Sequence, residues 1–239
     1  MKEIQFLFES RNGDYVEVTA GSQLVSGPIV SQNAGSSSTG IYYQVGGGGL
    51  NGLFARALGT TQLDTVNGQL RTAYDGTFGA GRWQKDSMNL PSPSPLSSFL
   101  VPIQVGTDGV GMMYSVGPDL RWTSLSLPSV ASAYAQVYAD AIDQLATSNL
   151  KVGALRITML STGIYAGSTP VADLAKDAAA CILNGMVTAL KARPADLENL
   201  VILINTQSTT EASKEFTGFR QAASVWGASV TDKGFVLPL

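Results

Sequence analysis

The chain has 239 residues, with 15 lysines and arginines against 18 aspartates and glutamates, which gives a formal net charge of −3. Charged residues make up 14% of the chain and hydrophobic residues 44%, which excludes an intrinsically disordered protein, because disordered chains are rich in charge and poor in apolar residues. The charge also excludes a nucleic-acid binder that depends on bulk positive charge, since phosphate neutralisation needs clustered lysine and arginine.

Missing residue types narrow the chemistry further. The chain has no histidine, which excludes histidine general bases, Ser-His triads and histidine-bound metals. Its one cysteine, Cys181, excludes an intramolecular disulfide and a cysteine-rich zinc site. The N-terminus turns polar after a few apolar residues, and no apolar run is long enough to span a membrane. We therefore expect a cytoplasmic protein with no membrane partner, no metal and no cofactor.

The N-terminal part is predicted to contain a hairpin, a short strand and a long loop. Residues 4–9 and 15–19 alternate in polarity on either side of an Asn-Gly step, which is the strongest local signal for a β-hairpin. Residues 27–32 are a candidate apolar strand, and residues 33–49 are a loop by composition. We expect the hairpin to contribute antiparallel partners to a sheet.

Two contrasting segments follow. Apolar residues within 50–58 recur at helical spacing before Gly59, which predicts a helix that ends at that glycine. Residues 60–99 contain several glycines and a Ser-Pro repeat, which fits neither a helix nor a central strand. We expect an exposed, extended connection there, as a long Gly/Pro/Ser-rich insertion in a single domain of residues 1–239.

The second half of the chain alternates strands and helices. The expected elements are, in order, strands at 100–105 and 110–116, a helix at 129–147, a strand at 154–160, a helix at 170–191, a strand at 200–204 and a helix at 210–223. Ser129 is the expected N-cap of the first of these helices. The uninterrupted apolar run at 200–204 is typical of a strand buried on both faces. This alternation predicts an α/β fold with helices layered against a mixed sheet.

Two loops are placed to carry chemistry, because ligands of open α/β sheets bind at the carboxyl ends of the strands. Four consecutive glycines at 46–49 lead into a helix, and residues 161–167 follow a strand. Glycine-rich main chain, hydroxyls and a helix N-terminus together suit a phosphate. Neither loop matches a Walker or dinucleotide-binding motif. Each also fits a connection without a ligand, either a flexible linker or an ordinary strand-to-helix turn.

Five segments resemble, in the same order, the signature sequences of macro domains. The clearest is VGGGGLNGLFARALG at 45–59, which is similar to the family signature GGGVDGAIHRAAG. The others are QFLFESRNGDYVEVTAGSQL at 5–24, IVSQNAG at 29–35, GMMYSVGPDLRW at 111–122 and ITMLSTGIYAG at 157–167. They resemble the family's opening hairpin, its IVNAAN and IIHAVGP strands and its FPAISTGIYG loop. The resemblance spans nearly the whole chain, with residues 34–45 and 60–99 as its poorest parts.

The resemblance implies a three-layer α/β/α sandwich with a mixed central sheet and a cleft for ADP-ribose at the carboxyl ends of its strands. It assigns ligand binding to residues of the two loops and of a base pocket, namely Ser22, Gly47, Gly48, Gly49, Leu50, Asn51, Ser161, Thr162, Gly163, Ile164 and Tyr165. It also makes Asn33, with a one-residue shift, and Asn51 the candidates for a catalytic role.

Several positions depart from the family pattern. Ser22 stands where the family often has an aspartate in the adenine pocket, and Asn51 stands where some relatives have an aspartate proposed to activate water. Tyr114 replaces one of two family histidines, both missing here. Asn205 or Thr206 stands where an adenine-stacking aromatic ring is often found. The diphosphate and distal-ribose end therefore matches the family better than the adenine end.

Three functions remain open. The resemblance implies binding of ADP-ribose or a related NAD-derived nucleotide, with hydrolysis as a further activity, either as an ADP-ribosyl hydrolase or as an ADP-ribose phosphate phosphatase. No side chain in the matched motifs is a good general base, so hydrolysis would need a water activated by the substrate's own phosphate. The second alternative is a non-catalytic reader or sequestering protein for an NAD-derived signalling nucleotide, and an ADP-ribosylated protein is a candidate partner. The third is an interaction scaffold that uses residues 60–99.

Overall fold

A computed structural model describes most of the chain. The described residues are 2–17, 19–34, 49–84, 98–105, 108–121, 126–163, 166–168, 171–193 and 197–239. Within them, eight strands form one mixed sheet, in the order β3-β4-β2-β5-β6-β1-β8-β7. The strands are β1 (Glu3–Glu9), β2 (Ile29–Ala34), β3 (Ser98–Val105), β4 (Asp108–Ser115), β5 (Ala154–Thr158), β6 (Val201–Asn205), β7 (Ser229–Val230) and β8 (Gly234–Pro238). The five strands from β4 to β1 run parallel, and the outer strands pair antiparallel at each edge.

Four long helices lie against this sheet in the described part of the chain. They are α1 (Gly49–Phe78), α2 (Ala131–Thr147), α3 (Val171–Ala192) and α4 (Lys214–Val225), and a 3₁₀ turn at Pro128–Val130 precedes α2. Helix α1 is interrupted at Gly59, whose φ of 68° is not helical. A glycine adopts this conformation at little cost because it has no Cβ. None of the helices in the described ranges is both long and apolar enough to cross a membrane.

The layers follow from the alternation of side chains along the central strands. On β5, Leu155 and Ile157 pack with α2, α3 and α4 in the larger core. Ala154 and Arg156 belong to the opposite face. On that face α1 covers β3 and β4, and residues 15–17 and 19–25 cover β5 and β6. The expected three-layer α/β/α sandwich with a mixed sheet is therefore confirmed.

The N-terminal hairpin expected from the sequence is wrong. β1 pairs in parallel with β6 and antiparallel with β8, and across the Asn-Gly turn the described residues form an isolated bridge between Arg11 and Asp14. Phe6, Leu7 and Phe8 are all buried, so both faces of β1 are covered, which an exposed hairpin could not provide. The turn was predicted correctly, but the partner of β1 was not.

Residues 60–78 are helical, so the extended connection expected there is also wrong for this part. Val66, Leu70 and Tyr74 recur at four-residue intervals and are buried against β3 and β4, which is the spacing of one helical face. The glycines within this stretch obscure the periodicity in the sequence but do not interrupt the helix beyond Gly59. The Ser-Pro run within 85–97 lies outside the described residues.

The remaining expected elements are confirmed with small shifts at their ends. The strands expected at 27–32, 100–105, 110–116, 154–160 and 200–204 are β2, β3, β4, β5 and β6, and the helices expected at 50–58, 129–147, 170–191 and 210–223 are the first part of α1, then α2, α3 and α4. Ser129 is not the N-cap of α2, because Val130 takes that position. The Oγ atom of Ser129 donates instead to the carbonyl of Ser126 at 2.7 Å. Strands β7 and β8 were not expected.

Candidate functional site

The connections of the sheet diverge between β2 and β5. β2 leads through α1 to β3 and β4 on one side, whereas β5 leads through α3 to β6 on the other. Open α/β sheets bind ligands outside the carboxyl ends of their strands at such a point. The two loops singled out from the sequence, 46–49 and 161–167, follow these two strands.

The two strands separate before they end. Their ladder stops at the pair Ser31 and Arg156, although β2 continues to Ala34 and pairs there with β4. We call the opening between residues 32–34 and residues 158–163 the fork. A ligand at the carboxyl edge would meet the main chain of two separate strands there.

Gln32 bridges the fork with its side-chain amide. Its Oε1 accepts the main-chain N–H of Thr158 at 3.0 Å, and its Nε2 donates to Oγ of Ser115 at 3.0 Å. Oγ of Ser98 lies 2.7 Å from Oγ of Ser115 and donates to the carbonyl of Val137 in α2 at 2.6 Å. Because the polar side chains of this chain of bonds are buried, the bonds offset the cost of desolvation. They also position the carboxyl ends of β2, β4 and β5 relative to one another.

Asn33 and Asn51, the two candidate catalytic residues, are in direct contact. Nδ2 of Asn33 donates to Oδ1 of Asn51 at 2.9 Å, and both residues are buried. Asn51 lies in the first turn of α1, which begins at Gly49, so the bond ties the N-terminus of that helix to the end of β2. Leu50, predicted to bind ligand, packs against both hydrophobic cores.

Ser161, Thr162 and Gly163 form the other side of the fork. Ser161 has a positive φ of 61°, and its Oγ donates to the carbonyl of Pro118 at 2.7 Å. Oγ1 of Thr162 donates to the carbonyl of Met159 at 2.7 Å. The two hydroxyl protons therefore stabilise the loop itself, and the donors left for a ligand on this side are main-chain N–H groups.

Two buried tyrosines of α2 hold the chain as it leaves β5. Tyr138 Oη donates to the carbonyl of Thr158 at 2.7 Å and accepts the N–H of Leu160 at 3.0 Å, and Tyr134 Oη donates to the carbonyl of Leu160 at 2.7 Å. Burial raises the pKa of both hydroxyls, so both stay protonated donors at neutral pH. Helical periodicity predicted the burial of this pair, but the bonds of the hydroxyls were missed. A tyrosine pair four residues apart is the signal that could have indicated them.

A cavity of about 590 Å³ lies at the same edge of the sheet, beside the end of β1, and residues 20–24 form one of its walls. Ser22, the predicted base-pocket residue, is part of this wall, and its Oγ accepts the N–H of Leu24 at 3.1 Å. Asn205 pairs its side-chain amide with the main-chain N–H and carbonyl of Val16, at 2.8 and 3.0 Å. Asn205, at the position where a stacking aromatic ring was expected, therefore fixes the main chain at Val16, shortly before the residues that form the cavity wall.

The predicted site residues fall into two groups. Gly49, Leu50, Asn51, Asn33, Ser161, Thr162 and Gly163 surround the fork, and Ser22 lies at the cavity. Gly47, Gly48, Ile164 and Tyr165 lie outside the described residues. Strand β1 is three positions from β2 in the sheet, which at the usual strand spacing is about 14 Å. The two groups thus lie at two separate places along the same edge of the sheet.

The described polar side chains at the fork are neutral amides and hydroxyls. Asp119 is an acid in the loop that contacts Ser161, and it pairs with Arg121. Burial opposes ionisation of this carboxyl, but hydrogen bonds and the charge of Arg121 outweigh it and lower its pKa. A carboxylate that is already paired and weakly basic is a poor general base.

Two buried atoms at the fork have no hydrogen-bond partner among the described residues, namely Oδ1 of Asn33 and Oγ1 of Thr158. Both side chains belong to the sheet face that α1 covers in part, since Asn33 contacts Asn51 and Thr158 lies two residues beyond Arg156. Buried polar atoms are almost always paired with protein or water.

Within the described ranges, no cluster of three or more acidic or cysteine side chains could hold a metal ion.

Comparison with known proteins identifies the fold. No protein-family model and no curated protein matches the sequence. A mutant of the Oceanobacillus iheyensis macrodomain superposes with a TM-score of 0.52 at 18% identity, over 82% of this chain and 84% of that chain. The same domain with MES bound gives 0.52 and 18%, over 82% and 83%. A Trypanosoma brucei macrodomain in complex with ADP gives 0.45 and 14%, over 81% and 62%. The two superpositions on the Oceanobacillus domain show that the chain has a macrodomain fold.

Proposed function

We propose that the chain binds ADP-ribose or a related NAD-derived nucleotide at the carboxyl edge of the sheet, with the diphosphate at the fork. The observation that carries the proposal is the contact between Asn33 and Asn51, which holds the N-terminus of α1 against the end of β2. The described parts of the segments 45–59 and 157–167, which resemble macro-domain signatures, lie at the two sides of this opening. The macrodomain fold supports the same assignment.

The fork suits an anion although its described side chains carry no positive charge. A helix N-terminus supplies partial positive charge and main-chain N–H groups that lack intrahelical partners, and phosphates bind there without a cation. The hydroxyls of Ser161 and Thr162 are turned to main-chain carbonyls. We therefore assign the diphosphate to main-chain N–H groups on both sides of the fork.

The distance between the fork and the cavity favours an elongated ligand. A diphosphate at β2 leaves about 14 Å to the end of β1, where the cavity is large enough for the remaining part of a nucleotide. The hydroxyl of Ser22 can accept or donate one hydrogen bond there. We assign the nucleoside end of the ligand to the cavity and the distal ribose to the fork.

Among the two nucleotide functions, the site favours a reader over a hydrolase. Asn33 and Asn51 are amides that bond to each other, and amides cannot take a proton from water at neutral pH. Asp119 is held by Arg121. Hydrolysis therefore stays the second candidate, with a water activated by the substrate's own phosphate.

Titration calorimetry with ADP-ribose tests the binding proposal. A Cβ at Gly163 would meet nothing within 4 Å, so Gly163→Val should fold normally while its side chain enters the space given to the ligand. We expect at least tenfold weaker binding. Gly68→Val, an equally open position on α1, is the matched control and should bind like the wild type. No heat from wild-type protein at millimolar ADP-ribose would overturn the proposal.

Turnover is tested separately. Wild-type protein is incubated with a mono-ADP-ribosylated protein and with an ADP-ribose phosphate ester, and the products are separated by chromatography. A reader leaves both substrates unchanged while still binding ADP-ribose. Product that forms with wild-type protein and fails to form with Gly163→Val would make the chain a hydrolase.

Two coarser expectations belong to the same proposal. We propose that residues 1–239 form one domain in the cytoplasm, where a lone thiol such as Cys181 stays reduced. Limited proteolysis that leaves one resistant core, and fractionation of cells that express the full chain, test these points. If no nucleotide binds, the scaffold function of residues 60–99 is the remaining alternative.

A further inference from the structure

We propose that the buried ion pair between Arg156 and Glu9 is a positioning device, which holds Glu17, Ala20 and Gly21 in the conformation that builds the wall of the cavity beside β1. Arg156 lies on β5 and Glu9 ends β1, so 147 positions separate the two residues along the chain. The identity of the ligand rests on the proposed function, whereas the geometry of the pair does not.

The ion pair itself is fully enclosed. Arg156 is 1% exposed and Glu9 is 7% exposed. Nε of Arg156 donates to Oε2 of Glu9 at 2.7 Å, and Nη2 donates to Oε1 at 3.3 Å, which is a two-point contact between guanidinium and carboxylate. Nη1 donates to Oγ of Ser31 on β2 at 3.0 Å. The guanidinium is thus oriented by β1 and β2 on either side.

The remaining donors of Arg156 reach the main chain above the sheet. Nη1 donates to the carbonyl of Ala20 at 3.0 Å and to that of Glu17 at 3.4 Å, and Nη2 donates to the carbonyl of Gly21 at 3.3 Å. The described residues of 17–21 belong to neither a helix nor a strand. For the carbonyls of Ala20 and Gly21, one side chain therefore supplies, through charged donors, the hydrogen bonds that a ladder would otherwise give, whereas the carbonyl of Glu17 also accepts the main-chain N–H of Ala20 at 3.0 Å.

Stability alone does not account for a charge at this place. A buried ion pair loses so much hydration that a well-packed apolar pair often stabilises a protein equally well. The neighbouring positions on the same face, Leu203 and Ala154, are apolar and packed. What an apolar side chain could not do is donate to three carbonyls. The role of the pair is therefore to fix the conformation of one segment, not to add buried apolar surface.

That segment continues directly into the cavity wall. Ala20 and Gly21, whose carbonyls Arg156 holds, line the cavity together with Ser22 and Glu9. Asn205 anchors Val16 at the start of the segment. A wall that is ordered before the ligand arrives saves the entropy of ordering it on binding. Affinity at the nucleoside end should therefore depend on Arg156, which belongs to the sheet below the wall.

The test removes both charges together, so that no unpaired charge is left buried. We expect Glu9→Leu/Arg156→Met to unfold in urea at a midpoint near that of wild type. Amide hydrogen exchange of residues 19–24 should become at least tenfold faster, and ADP-ribose affinity should fall at least tenfold. Ile142→Val, which removes one buried methylene among the helices on the opposite face, controls for a general loss of stability. It should change neither the local exchange nor the affinity.

Each outcome decides. Unchanged exchange at residues 19–24 overturns the proposal, and so does faster exchange with wild-type affinity, because the pair would then be merely structural. If wild-type protein binds no ADP-ribose, the proposed function fails and the exchange measurement alone decides on the positioning. Should the double variant not fold, Arg156→Lys replaces it. A lysine keeps the charge but cannot reach three carbonyls and Glu9 together, so the same two readouts should move in the same direction.

Discussion

Oε1 of Gln32 accepts the main-chain N–H of Thr158 at 3.0 Å, so that a side chain takes the place of the ladder bond that β2 and β5 lose where they separate. The other end of the same amide donates to Ser115 on β4. Strands can diverge at low cost when a side chain satisfies the main-chain groups that the ladder no longer pairs. The fork is therefore open to a ligand and at the same time held in shape.

Replacing Gln32 tests this arrangement. Gln32→Leu has a similar size but leaves the N–H of Thr158 and the hydroxyl of Ser115 without this partner in a buried site. Each unsatisfied buried group costs about 1–3 kcal/mol, so we expect the free energy of unfolding to fall by about 2–3 kcal/mol in urea denaturation. Gln23→Leu, at an exposed position, should change it by less than about 0.5 kcal/mol. Equal effects of the two variants would contradict the bridging role.

The bond between Asn33 and Asn51 predicts a contrast between two substitutions at one position. Asn51→Asp keeps an oxygen that can accept from Nδ2 of Asn33 and adds a negative charge near the N-terminus of α1, which is favourable there. Its stability at pH 7 should stay within about 1 kcal/mol of wild type. Asn51→Leu removes the acceptor and should lose about 1–3 kcal/mol. Thermal and urea unfolding measure both, and a reversed order would refute the contact.

Gly167 joins the loop after β5 to the loop after β4. Its φ is 64°, and a Cβ there would lie 2.3 Å from the carbonyl oxygen of Leu120. The left-handed conformation costs a non-glycine residue about 1–2 kcal/mol, and the overlap adds about 1–3 kcal/mol. We expect Gly167→Ala to lower the free energy of unfolding by about 2–5 kcal/mol. Gly163→Ala, with open space around its Cβ, should leave the free energy of unfolding nearly unchanged. If Gly167→Ala and Gly163→Ala lowered it by the same amount, the predicted overlap at Gly167 would be contradicted.

Sequence periodicity was sufficient to predict most strands and helices, but it could not predict which strands pair when they are far apart in the sequence. The apolar run at 200–204 became β6, buried along most of its length, because a covered strand needs no polar alternation. The partner of β1 could not be read in the same way. The Asn-Gly turn favours a neighbour in sequence, whereas β6 lies almost 200 residues away and offers the larger burial.

The candidate site likewise contains residues that the sequence predicted and residues that it could not predict. Asn33 and Asn51 were predicted from matched segments and are in contact, because the first turn of α1 lies against the end of β2. The ion pair between Arg156 and Glu9 could not be predicted, because neither residue belongs to a sequence pattern that indicates its distant partner. Buried polar pairs across a sheet depend on register, and register between parallel strands is set by the whole fold. The role of the predicted ligand residues stays a prediction.

Buried tyrosines predict how the protein responds to alkaline pH. Burial raises the pKa of Tyr15, Tyr114, Tyr134 and Tyr138 above the ordinary value near 10. Below pH 10 these groups are protonated in both states and leave stability unchanged. Above it the unfolded chain ionises first, so the free energy of unfolding falls by up to about 1.4 kcal/mol per pH unit for each tyrosine.

Urea unfolding from pH 8 to pH 11 measures this slope. Tyr114→Phe removes one of the four groups, so its slope above pH 10 should be smaller than that of wild type by about 1.4 kcal/mol per pH unit. Below pH 9 the two proteins should differ by a constant amount, because neither state titrates there. A wild-type stability that stays level up to pH 11 would mean that these four hydroxyls ionise as easily in the folded protein as in the unfolded chain, and would contradict their burial.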